Sequence, residues 1–104
     1  MDYESALNTV YKSLDVVNSL RPAKDAIQPS VDVTLVGESG GLDSLALITM
    51  ALTIERSVNE TTGQQISLLN DSDFEAQLSA FRTPSTIASL ILEKLASNEA
   101  SGNL

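Results

Sequence analysis

The chain has 104 residues with no cysteine and no histidine, and fourteen acidic against six basic residues leave a formal charge of −8. Without cysteine there are no disulfides and no thiolate metal sites. Without histidine there is neither the usual general base at neutral pH nor an imidazole ligand, so ordinary zinc sites are excluded.

The acidic surface repels nucleic acid and anionic membrane and favours basic protein partners, although acidity also simply keeps a small domain soluble. The length fits one domain, and a domain of this size buries roughly two thirds of its unfolded surface, enough for a core without staples. The opening residues 1–10 lack a basic n-region and an apolar h-region, so no signal peptide is expected. The longest mostly apolar run, residues 45–54, is too short to span a bilayer. A cytoplasmic protein with no membrane insertion is the expectation.

The first element is a helix over residues 3–20. Tyr3, Leu7, Val10, Tyr11, Leu14, Val17 and Leu20 recur at spacings of three and four, which makes one apolar face. Pro22 ends it, because proline disfavours the helical conformation in the residue before it. A long connection follows over residues 21–43, punctuated by Pro22, Pro29, Gly37, Gly40 and Gly41. Within it Val31, Val33 and Leu35 alternate with polar residues, as in a short strand. No second strand is available to pair with it. An extended segment with its apolar side chains on the core is therefore expected. A connection this long is usually functional or packed by its own side chains.

The second helix starts at Asp43 or Ser44, with Asp43 as the N-cap. Leu45, Ile48 and Leu52 form one stripe, and Leu47, Ala51, Ile54 and Val58 form another. The two are expected to merge into the broad apolar surface of a central helix that fades near Glu60. Residues 70–81 carry Phe74, Leu78 and Phe81 at helical spacing behind several candidate caps, which reads as a short helix. Thr83 followed by Pro84 starts the last helix, whose buried face is Ile87, Leu90, Ile91 and Leu95. Residues 96–104 have no periodicity and read as a flexible tail behind a single domain over 1–95. There is no internal repeat and no sustained heptad pattern. The sum is an all-α chain of three main helices plus one short one, with the long loop between the first and second.

Two serines in the glycine-rich stretch suggest different chemistry. Gly37 to Gly41 spell G-x-S-x-G around Ser39, the elbow of a hydrolase. That elbow needs a large α/β sheet, a histidine base and an oxyanion hole, and this chain has neither the length nor the histidine. No lysine lies between Lys24 and Lys94, which removes a phosphate-binding P-loop. A dinucleotide loop would need a βαβ unit. Gly41 to Leu45 spell G-x-D-S-L around Ser44. A serine in the first turn of a helix sits near solvent and needs no base of its own if another enzyme modifies it. The bland alternative is that Ser44 is only a helix-start residue.

The stretch "GLDSLALITMALTIERSV" resembles the acyl carrier protein family, with its G-x-D-S-L motif followed by an amphipathic helix. "FRTPSTIASLILEKL" resembles that family's last helix, and the helical order agrees over about residues 3–95. The resemblance implies a four-helix bundle of the acyl-carrier type. It also implies that Ser44, flanked by Asp43 and Leu45, receives 4′-phosphopantetheine from coenzyme A through a magnesium-dependent phosphopantetheinyl transferase. The protein would then be a carrier and not an enzyme, holding acyl groups as thioesters on the arm's thiol despite its lack of cysteine. Leu45, Ile48, Leu52 and Ile54 would be candidates for contact with an acyl chain.

Thr49, Thr53, Glu55, Arg56 and Glu60 would face partners: an acyl ligase, a synthase or an acyltransferase. That face is weakly charged beside the acidic second helix of many relatives, which implies a specialised pathway, such as polyketide, lipid or polysaccharide synthesis. Gly40 and Gly41 are similar to the G-G-x-S of peptidyl carriers but have one residue too many before the serine. Carriers of this kind act as monomers. The alternative reading is an unmodified helical interaction module of the same fold.

Overall fold

A computed structural model describes residues 1–23, 26–35, 42–68 and 80–102, apart from the side chains of Ser44 and residues 98–102. Three helices lie in this range: α1 (Tyr3–Ser19), α2 (Ser44–Thr62) and α3 (Pro84–Gly102). There is no strand among the described residues, so the architecture is a helical bundle. The short helix expected over 70–81 falls almost wholly outside the described residues, as do Ser39 and Gly37, Gly40 and Gly41.

Local chemistry sets the helix ends. Asp2 caps α1 by accepting from the Ser5 amide at 2.8 Å. The bond holds its carboxyl below the ordinary carboxylate range, chiefly because the backbone donor favours the charged form. Asp43 caps α2 in the same way, accepting from the Ala46 amide at 2.8 Å from an extended backbone. Gly63 stops α2 with φ +74, the left-handed conformation that glycine takes without a Cβ clash, and its amide bonds the Asn59 carbonyl at 2.8 Å.

α3 opens as its Thr-Pro pair predicts. The Thr83 hydroxyl accepts from the Thr86 amide at 3.2 Å, and the Thr83 amide donates back to Thr86 Oγ1 at 3.1 Å. This reciprocal pair is a capping box with threonine in the place of the usual glutamate. The helix runs past Leu95, where apolar periodicity stops, and through Gly102, so the expected tail is helical as far as that residue.

α1 packs against both other helices. Its last turn meets the start of α2, and Met1 lies by Thr61 and Thr62 at the far end, so α1 and α2 run antiparallel. The core takes Ala6, Val10, Leu14 and Val17 from α1 and Leu47, Met50, Ala51, Ile54 and Val58 from α2. Ile87, Ala88, Ile91 and Leu95 come from α3 and Phe81 from just before it. Buried Ser13 satisfies its hydroxyl on the Val10 carbonyl at 2.6 Å. Tyr3 and Leu20, expected on the buried face, are exposed at the two ends of α1. Tyr3 instead hydrogen-bonds Ser85 Oγ at 2.7 Å.

The connection after α1 is tied down at three places. Asn18 holds Ile27 through both backbone groups, its amide donating to the carbonyl and its oxygen accepting from the N–H, each at 2.9 Å. The extended segment reaches the start of α3, with the Leu35 amide on the Arg82 carbonyl at 2.7 Å and the Ser85 amide on the Val31 carbonyl at 3.1 Å. Leu35 is buried, Val33 half-buried and Val31 exposed, so the apolar alternation only partly reaches the core. The Leu42 amide returns to the Leu35 carbonyl at 2.9 Å, which delivers the chain to the start of α2.

Candidate functional site

The start of α2 is the place where the sequence motif and the surface coincide. Asp43 is the cap, Ser44 is the first helical residue, and the Leu47 amide makes the first helical bond to the Asp43 carbonyl at 2.9 Å. Leu45 is 74 % exposed. The cap binds the carboxylate of Asp43 to the helix itself, so the residue positions the turn at Ser44.

Leu45, Ile48 and Leu52 do not lie in the core. All three are exposed, whereas Ile54, the fourth candidate for acyl contact, is fully buried. Helix geometry gives the reason. At about 100° per residue, Leu45, Ile48 and Leu52 cluster almost opposite Leu47, Ile54 and Val58. The two stripes are therefore not neighbours, and packing against α1 can bury only one of them. The second stripe wins because it also contains Met50 and Ala51, which close the contact.

The expected partner face is divided in turn. Arg56 and Glu60 are exposed, while Thr49, Thr53 and Glu55 are half-buried. Thr53 turns its hydroxyl back to the Thr49 carbonyl at 2.8 Å. Glu55 accepts from the Leu68 amide at 3.1 Å, so it anchors the segment after α2. The exposed face of α2 thus runs through Leu45, Ile48, Leu52 and Arg56.

A cleft of about 230 Å³ opens beside Ser44, between the last turn of α1 and the first turns of α2. Val17, Leu20 and Arg21 line it from α1, and Asp43, Leu45, Ala46 and Thr49 from α2. Nothing in the sequence marked Leu20 and Arg21 as site residues. They reach it because the long connection brings α2 back antiparallel to α1, a long-range event without a local signature. No helix among the described residues is long and apolar enough to cross a membrane. Comparison with family models, curated proteins and solved structures gave no match.

Proposed function

We propose that the protein is an acyl carrier of the four-helix type, with Ser44 as the attachment point of 4′-phosphopantetheine. The observation that carries the reading is the D-S-L motif at the capped start of α2, with Asp43 as cap and Leu45 exposed beside the serine. The surroundings suit such a group. The serine's neighbours Asp43 and Leu45 are exposed, and the adjoining cleft is lined by both apolar and charged residues.

In the loading step the Ser44 hydroxyl oxygen attacks the pantetheine-side phosphorus of coenzyme A. The phosphorus–oxygen bond to the second phosphate breaks, adenosine 3′,5′-bisphosphate leaves, and the hydroxyl proton passes to a base of the transferase. The arm supplies a thiol that holds an acyl group as a thioester. This chain contributes presentation: the cap orients the turn, and the acidic surface favours basic partner enzymes. It is a substrate and shuttle rather than a catalyst, and we assign it to the cytoplasm as a monomer.

A second reading is an unmodified interaction module. The exposed stripe of Leu45, Ile48 and Leu52 favours it, because three large apolar side chains on one helix face suit protein contact. Intact mass after incubation with a broad-specificity transferase, magnesium and coenzyme A separates the two. A gain of one phosphopantetheine that disappears in Ser44→Ala supports the carrier. No gain where a control carrier is modified sinks it.

A further inference from the structure

Eight large apolar residues are exposed among the described residues, and five of them lie together. Val16 and Leu20 stand one turn apart at the end of α1, and Leu20 shares a cleft with Leu45. Ile48 and Leu52 continue from Leu45 along α2. Together the five leave on the order of 500 Å² in water, at the upper end of what a single-copy protein exposes in one patch.

The rim of the patch bears on its occupant. Lys12 precedes Val16 by one turn, Arg21 follows Leu20, and Arg56 follows Leu52 by one turn, so half of the six basic residues border it. Asp15, Asp43, Glu55 and Glu60 bring the opposite sign, and Glu55 already accepts from the Leu68 amide. This face is therefore close to neutral, and most of the −8 lies elsewhere on the chain. A strongly basic partner finds little to pair with here, whereas a second copy meets both signs and little repulsion. A standard interface buries about 800 Å² per partner, somewhat over half of it apolar, which is about what the patch supplies. A two-fold pair also needs a surface that complements itself. This one holds a recess, the cleft of about 230 Å³, and at its rim a projection, Leu45, the most exposed of the eight.

We propose that two copies of the chain pair reversibly across this face, about a two-fold axis that sets α2 against α2. The pair buries Leu20, Leu45, Ile48 and Leu52 of each copy and brings the mixed-sign rim of one to that of the other. Pairing needs nothing of Ser44 and so stands apart from the carrier reading. The dilute monomer is the form that presents the serine, and pairing covers the surface beside it at high concentration.

Sedimentation velocity of the full, unloaded chain over about 1 μM to 1 mM tests this. The weight-average mass is expected to climb from the 11.0 kDa of one chain toward twice that value. Added salt strengthens the pairing, because it screens the repulsion between two chains of charge −8. Leu45→Glu and Leu52→Glu each hold the chain at the single mass throughout. Val31→Thr, at an exposed apolar residue whose carbonyl bonds the Ser85 amide away from the patch, leaves the rise unchanged. Amide NMR of wild type is expected to show concentration-dependent shifts confined to residues 16–21 and 43–56.

A wild type that keeps the single-chain mass at every concentration, with and without salt, overturns the proposal and leaves the stripe to a foreign partner. A dimer that survives both glutamate variants, or shifts that map elsewhere, overturns the assignment of this face. If a glutamate variant does not fold, which its amide spectrum reveals, the wild-type shifts decide the matter.

Discussion

The two faces of α2 both carry large apolar residues and meet opposite fates. Leu47, Met50, Ile54 and Val58 vanish into the core, whereas Leu45, Ile48 and Leu52 on the other side are exposed at 74 %, 43 % and 57 %. Apolar character alone therefore does not decide burial in this helix. What decides it is which side α1 packs against. The exposed side adjoins the motif serine, where a carrier or a docking module would meet a partner. Leaving large apolar groups in water forgoes stabilisation of roughly 1.5–3 kcal/mol for each side chain that could have been fully buried. The core sits on one face of α2, and the candidate function on the other.

The largest effect that would break this contrast is on the buried side. Ile54→Ala is expected to destabilise by about 2–5 kcal/mol, read as a lowered urea midpoint with an unchanged slope. Leu52→Ala, the same kind of truncation on the other face, should stay within about 0.5 kcal/mol. Similar losses for the two would show that the exposed stripe is packed in solution and would refute the division.

Smaller changes probe the ends of the same helix. Asp43→Ala removes the cap and should reduce stability by about 1 kcal/mol, measurable as a shift of the thermal midpoint. Gly63→Ala should cost about 1–2 kcal/mol from backbone strain alone. Its φ is +74, and an added Cβ meets nothing within 4 Å, so no packing gain offsets the strain. A neutral result there would mean that α2 ends elsewhere.

The smallest effect lies on α1 and serves as a control away from both faces. The Asp2 carboxyl is held below its ordinary value by the Ser5 amide. Its contribution is thus present above the unfolded-state pKa and is lost as pH falls through the lower folded value. Asp2→Asn should flatten the stability–pH curve in that acidic window only. A change near neutral pH would require another group.

Much of the fold was legible because its signals are local. Asp43 before an apolar run, Thr83 before Pro84, and Gly63 after a threonine pair each act through neighbours in the chain. α2 and α3 therefore begin where the sequence places them. The Asp2 cap follows the same local rule, one residue before the apolar spacing that begins at Tyr3. The site was half legible. Ser44 and its flanking residues stand in a motif, but Arg21 and Leu20 do not.

The two stripes of α2 do not merge into one surface, because at helical pitch they fall on opposite sides. With the angle right, Arg56 at the end of the Leu45, Ile48 and Leu52 stripe marks that side as the exposed one, since the Leu47, Met50, Ala51, Ile54 and Val58 side carries no charge. By itself the sequence determined where α2 and α3 begin and about where α2 stops, because these depend on propensity and on hydrogen bonds within a turn. Only the tertiary structure decided which face of α2 meets α1, that Asn18 clamps Ile27, that Leu35 bonds Arg82, and that Arg21 and Asp43 line one cleft. Those contacts join residues far apart in sequence, and packing of the whole chain selects among them.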